Sequence, residues 1–161
     1  GNETTTNLIA NGLLALLDHP EQIARLREQP ELIDSAVDEL LRFDSPVQTD
    51  GRTAIEDIEI DGHTIRAGEQ VLLLLGAANR DPDHFADPEQ LDIGREDKSH
   101  IAFGRGLHHC LGAPLARLEA AAALEALLAR FSRIDLAGDR PRFKDHIVLR
   151  GMESLPVHLE R

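Results

Sequence analysis

Apolar residues recur at helical spacing through the first third of the chain. In "NLIANGLLALL", Ile9, Leu13, Leu16 and Leu17 mark one face of a helix. "DHP" ends it, and Pro20 can occupy the first turn of the next helix, where its missing N–H costs nothing. Pro30 can do the same for "ELIDSAVDELLRF", whose apolar stripe runs through Ile33, Ala36, Val37, Leu40 and Leu41 and stops at Ser45-Pro46. Three consecutive helices are predicted.

The period then changes. "TAIEDIEIDGHTIRAGEQVLLLL" alternates in short strand-like runs, with Asp61-Gly62 as a hairpin turn and Ala67-Gly68 as a second turn. "NRDPDHFADPEQLDIGR" follows with two Asp-Pro pairs and little periodicity, which predicts a long irregular segment. Such a segment in a compact domain is usually functional or wrapped around something. A last long helix is predicted after the lone cysteine, with Leu111, Leu115 and Leu118 as one apolar stripe continued by Leu124, Leu127, Leu128 and Phe131. The tail predicts short strands. One mixed domain over residues 1–161, mainly α with small β-sheets, is the simplest reading.

Charge narrows the partners. The chain has 161 residues, with 17 Lys and Arg against 29 Asp and Glu, a formal charge of −12. That argues against nucleic acid, whose phosphates call for basic surface. No apolar run approaches the ~20 residues needed to cross a bilayer, so no membrane partner is expected. The opening "GNETTTN" does not read as a secretory leader, and a single cysteine makes no internal disulfide. A cytoplasmic protein is the expectation.

That cysteine lies in "HIAFGRGLHHCLGAP". With a helix starting near Cys110, its thiol would lie against unpaired N–H groups and the positive end of the helix dipole, which favour a thiolate. Gly104, Gly106 and Gly112 let backbone approach the sulfur or a flat ligand, and Arg105 and His108 add polar groups. Taken alone, a lone cysteine is more often a small buried hydrophobe. Zinc is disfavoured, because neighbouring His108, His109 and Cys110 do not easily converge on one tetrahedral centre. His100 and His109 carry no assignment, and Asp44 reads as solvated charge.

"FGRGLHHCLGAPLARLE" resembles the haem-binding signature of cytochrome P450, Phe-x-x-Gly-x-x-x-Cys-x-Gly, with Phe103, Gly106, Cys110, Gly112 and Ala113 in their places. "ELLR" supplies a Glu-x-x-Arg element at Glu39 and Arg42, "GNETTTN" is similar to the oxygen-activating helix, and "DGR", "NRDP" and "DIGR" are similar to bacterial members. The resemblance covers essentially the whole chain and is to the carboxy-terminal portion of the family. It implies a P450-like fold and haem b (iron protoporphyrin IX), with Cys110 as axial thiolate, Phe103 shielding the sulfur, and Gly112 beside it in the signature. Arg52, His108 and Arg105 would meet the anionic propionates. Glu3 and Thr4 match the acid–alcohol pair that handles protons during oxygen activation.

Glu39 and Arg42 divide the two approaches. On the helical stripe, Glu39 falls at the flank and Arg42 nearly opposite the apolar face, so periodicity alone leaves both exposed. The resemblance instead implies a buried network with Arg95 that holds the cysteine loop. Two functions follow. One is a haem-thiolate monooxygenase acting on a small organic substrate with electrons from a ferredoxin-type or flavin partner. The other is a truncated, non-catalytic remnant that keeps the fold and binds haem weakly or self-associates through surface exposed by truncation. Complete members are more than twice this length, which makes open apolar surface an expectation.

Overall fold

The computed structural model describes residues 2–161. Three helices lead: α1 (Glu3–Asp18), α2 (Pro20–Glu28) and α3 (Ile33–Phe43), with a single 3-10 turn at Pro30–Leu32 before α3. Pro20 is in the first turn of α2, whereas Pro30 starts the 3-10 turn and α3 begins three residues later than its proline suggested. β1 (Asp50–Thr53), β2 (Ile58–Ile60), β3 (His63–Ile65) and β4 (Gln70–Leu73) follow, then the short α4 (Leu75–Ala78). β2 and β3 form an antiparallel hairpin that pairs Ile60 with His63. Its turn holds Asp61 and Gly62 at φ 48° and 78°, a left-handed pair that tolerates glycine and aspartate best. β1 pairs with β4, so the hairpin is an excursion between two partnered strands.

Apart from one 3-10 turn at Gly106–His108, residues 79–112 contain no helix or strand. α5 (Ala113–Arg130) then runs into β5 (Arg133–Leu136), which pairs with β6 (Val157–Glu160).

One apolar cluster joins these pieces. Leu8, Leu13 and Leu16 of α1, Ala36, Val37 and Leu40 of α3, and Ala120, Ala121 and Leu124 of α5 pack together, with Leu91 and Ile93 of the irregular segment closing the cluster. The sequence-predicted stripe on α5 is only half right. Leu124 and Leu128 are buried, but Leu111, Leu115 and Leu118 are exposed. The buried side of α5 at this end is built from Ala113, Ala120 and Ala121. These small residues can face α1 and α3 closely, so the larger leucines point the other way. Leu72 and Leu74, at the end of β4, are also exposed.

α3 is buried on two sides. Its stripe meets α1 and α5, while residues 79–95 cover its back. Glu39 is 4% and Arg42 1% exposed, so the periodicity reading of both as surface residues fails here. Its reason is tertiary: a coil segment with its carbonyls turned inward covers the polar side of the helix. Asp44, expected to be solvated, lies largely buried and accepts from Arg150 Nε at 2.6 Å. Burial raises its pKa despite the attraction of Arg150.

Candidate functional site

A cleft of about 420 Å³ opens between α1, the segment around Cys110 and the start of α5. α1 contributes Thr4, Thr5 and Leu8, with Asn2 just ahead of it; the cysteine segment contributes Phe103, His108 and Cys110; α5 contributes Leu115 and Ala116. Thr5 was not singled out in the sequence, though it follows Thr4 directly.

Cys110 is an exposed free thiol. α5 begins at Ala113 with Gly112 as its N-cap, so Cys110 lies three residues ahead of the helix, not at its first turn as expected. Dipole effects fall away outside the terminal turn, so the placement of the sulfur rests on the loop. Two backbone bonds fix it there: Cys110 N donates to Phe103 O at 2.9 Å, and Ala113 N donates to Cys110 O at 3.2 Å. Gly104 and Gly106 sit at φ 71° and 70°, a left-handed geometry that side chains resist. A Cβ at Gly106 would meet nothing within 4 Å, so backbone conformation, not crowding, calls for glycine at that position.

The other candidates are distributed around this loop. Thr4 faces the cleft, whereas Glu3 lines a neighbouring one and lies 3.5 Å from Lys144. Arg52 bonds Gly51 O and Asp50, outside the residues lining the main cleft. Arg105 is exposed and also outside that lining. His108 lines the cleft, as does Gly112, whose added Cβ would stand 3.8 Å from Cys110 Sγ.

Behind the cleft lies the charged network. Arg42 Nε and Nη2 fork onto the two Glu39 oxygens at 2.7 and 2.9 Å. Its Nη1 reaches Asn79 O and Pro88 O, both at 2.9 Å, and Nη2 also reaches Gln90 O at 3.2 Å. Arg95 Nε meets Glu39 at 3.2 and 3.3 Å, while its Nη1 donates to Ala86 O. Asp92 N completes the set on Glu39 Oε1. A bidentate pair with its remaining donors used can survive burial. Asn79, fully buried, carries the network forward: its side chain donates to Ser45 Oγ and accepts from Ile101 N at 2.7 Å, two residues before Phe103. Asn79 opens the "NRDP" stretch, but nothing local assigns a role to a residue whose partners lie far along the chain.

The chemistry of this site is specific. A single exposed sulfur, a loop of left-handed glycines and an apolar cleft with an α1 hydroxyl fit a broad, flat, metal-bearing group bound through one thiolate. Its first coordination bond would come from Cys110, and the cleft would receive the rest of the group.

A cytochrome P450 family model matches residues 1–157. A biotin biosynthesis cytochrome P450 of Bacillus subtilis (strain 168) is 53% identical over 160 residues, which take in 99% of this chain and 40% of the relative. Among solved structures, P450BioI in complex with hexadec-9Z-enoic acid ligated acyl carrier protein matches with a TM-score of 0.95 and 54% identity, over 98% of this chain and 41% of that one. CYP109E1 from Bacillus megaterium in complex with corticosterone matches with a TM-score of 0.97 and 40% identity, over 100% of this chain and 44% of that one. The chain spans about two-fifths of the length of the curated relatives it matches.

Proposed function

The chain belongs to the cytochrome P450 family, and we propose that it carries the haem-ligating part of a haem-thiolate monooxygenase. The observation that supports this most is the open cleft shared by Cys110, Phe103 and Thr4. When bound, haem would supply the dioxygen-activating and electron-accepting chemistry, with a cysteine thiolate as its protein ligand.

Cys110 would bind iron through Sγ, held by the hydrogen bond that its amide donates to Phe103 O. Phe103 lines the same cleft and would keep water from the sulfur. His108, which lines the cleft, would donate to a propionate, and Arg105 and Arg52 would have to swing toward the cleft, Arg52 by leaving Asp50. Thr4 would hold a water and pass its hydroxyl proton toward the reacting oxygen, to be resupplied from the Glu3 side of α1. A small organic substrate would enter beside Val47, Asp50 and Leu75, which border the cleft. Two electrons would come from a ferredoxin-type or flavin-containing partner.

The Glu39–Arg42–Arg95 network would act structurally, fixing the cysteine loop through Asn79. Among the described residues no helix is long and apolar enough to cross a membrane. The exposed Leu111, Leu115 and Leu118 favour association of the chain with itself or with another chain. Titration of the chain with hemin tests the reading: saturable one-to-one binding that Cys110→Ala weakens at least tenfold supports it. Binding indifferent to Cys110→Ala would sink it.

A further inference from the structure

α3 carries two adjacent carboxylates, and the fold sends them to different places. Glu39 goes under the irregular segment. Asp38 goes to the cysteine loop and α5, where one oxygen, Oδ1, takes Arg117 Nε at 2.7 Å and lies 3.2 Å from His100 Nε2. The imidazole has a defined orientation. His100 Nδ1 accepts the Ala102 amide at 3.3 Å, which leaves Nε2 to carry the proton toward Asp38. The His100 side chain is 2% exposed, so this is a buried contact and not a surface pair. Burial opposes ionisation of Asp38, but the hydrogen bonds from His100 and Arg117, together with charge attraction led by Arg117, outweigh it and hold the carboxyl below its ordinary range.

The contact leads to the sulfur. Arg117, oriented by Asp38, lies with its guanidinium 4.6 Å from the centre of the Phe103 ring. The His100 ring stands 6.3 Å from the same ring, tilted. Phe103 O in turn accepts the Cys110 amide at 2.9 Å. One carboxylate therefore fixes, from behind, two of the three polar neighbours of the Phe103 ring, the third being His109, and the Phe103 carbonyl holds the cysteine backbone. A cation stacked on a ring favours one ring position, and the ion pair keeps that cation in place.

We propose that Asp38 is a positioning residue for the haem-ligating loop, setting the place of Phe103 and hence of Cys110 through His100 and Arg117. The inference rests on the reading of Cys110 as the haem ligand only for its functional consequence; the loop geometry stands apart from it. Asp38 touches neither the cleft nor the reacting groups.

Amide hydrogen exchange on the haem-free chain tests it. Asp38→Ala should speed exchange at the Cys110 amide about tenfold while leaving the Leu16 amide in the core of α1 unchanged. Arg117→Lys, which keeps the charge but loses the Nε donor, should produce a smaller rise at the same amide. Asp38→Glu should restore part of the protection. If Asp38→Ala does not fold, Asp38→Asn and Arg117→Lys make the same local comparison. Unchanged Cys110 exchange, or an equal rise at Leu16 and Cys110, overturns the proposal. A second arm adds hemin, dithionite and carbon monoxide. Asp38→Ala should lower the share of the Soret absorbance in the long-wavelength, thiolate-ligated band, and an unchanged share overturns the functional half. A wild-type chain with no such band refutes the haem reading itself, while the exchange result still decides whether Asp38 positions the loop.

Discussion

Replacing Arg42 by alanine removes the centre of the buried network. The side chain is 1% exposed and donates to both Glu39 oxygens and to the carbonyls of Asn79, Pro88 and Gln90. Its loss leaves Glu39 buried with only Arg95 and the Asp92 amide, and strips three carbonyls of this donor. Removing one partner of a buried pair costs about 3–5 kcal/mol. A domain is stable by about 5–15 kcal/mol in all, so the variant should be left marginal. With a urea dependence of about 2 kcal/mol per molar, the midpoint should fall by about 2 M. The chain has no Trp or Tyr, so far-UV circular dichroism is the suitable probe. Arg95→Ala provides a comparison: its guanidinium is partly exposed, sits 3.2 Å from Glu39, and leaves Arg42 in place. It should cost about 1–2 kcal/mol. Replacing both members of the pair, as in Glu39→Leu with Arg42→Met, should cost less than Arg42→Ala alone, because the one charge left without its carboxylate, Arg95, is partly exposed and keeps its carbonyl acceptors. A midpoint shift below about 0.5 M for Arg42→Ala would refute the reasoning.

Three further outcomes follow from the geometry. Asp38 has a depressed carboxyl pKa, so its contribution to stability is present above its ordinary value of 3.8 and is lost as pH falls through the lower folded value. Urea midpoints of the wild type should therefore drop more steeply below pH 3.8 than those of Asp38→Asn, with exposed Asp34→Asn as the control; parallel curves would contradict this. Gly151→Ala would drive a methyl group into the Asn7 side chain, which is 5% exposed, and should cost about 1–3 kcal/mol by thermal unfolding. Leu111→Lys with Leu118→Lys, both outside the cleft lining, should shift the chain toward monomer in sedimentation velocity, and an unchanged distribution would place the contact elsewhere.

The elements with local causes were legible in the sequence. The three leading helices follow from apolar spacing and prolines, and the Asp61-Gly62 hairpin follows from turn chemistry. What failed was anything decided between distant segments. The α5 leucines read as a core stripe because period reports that leucines share a face, and not which face the neighbours want; Ala113, Ala120 and Ala121 take the inner side. Periodicity alone left Arg42 exposed, because its cover is a coil with no periodicity of its own; the family resemblance instead implied a buried set with Glu39 and Arg95. At the site, the signature located Cys110 and its glycines, yet the helix began further on than the thiol argument assumed. Asn79, His100 and Arg117 act through partners 22 to 79 residues away, which single-sequence patterns do not register. Asp38 had one overlooked sign, its position next to Glu39.

Reduction of the hemin-loaded chain under carbon monoxide tests the central claim most directly, because the wavelength of the Soret band reports whether a protein thiolate holds the iron. The account predicts the long-wavelength band of a thiolate ligand, abolished by Cys110→Ala. A short-wavelength band that is the same in wild type and Cys110→Ala would show a ligand other than this sulfur, and would contradict it.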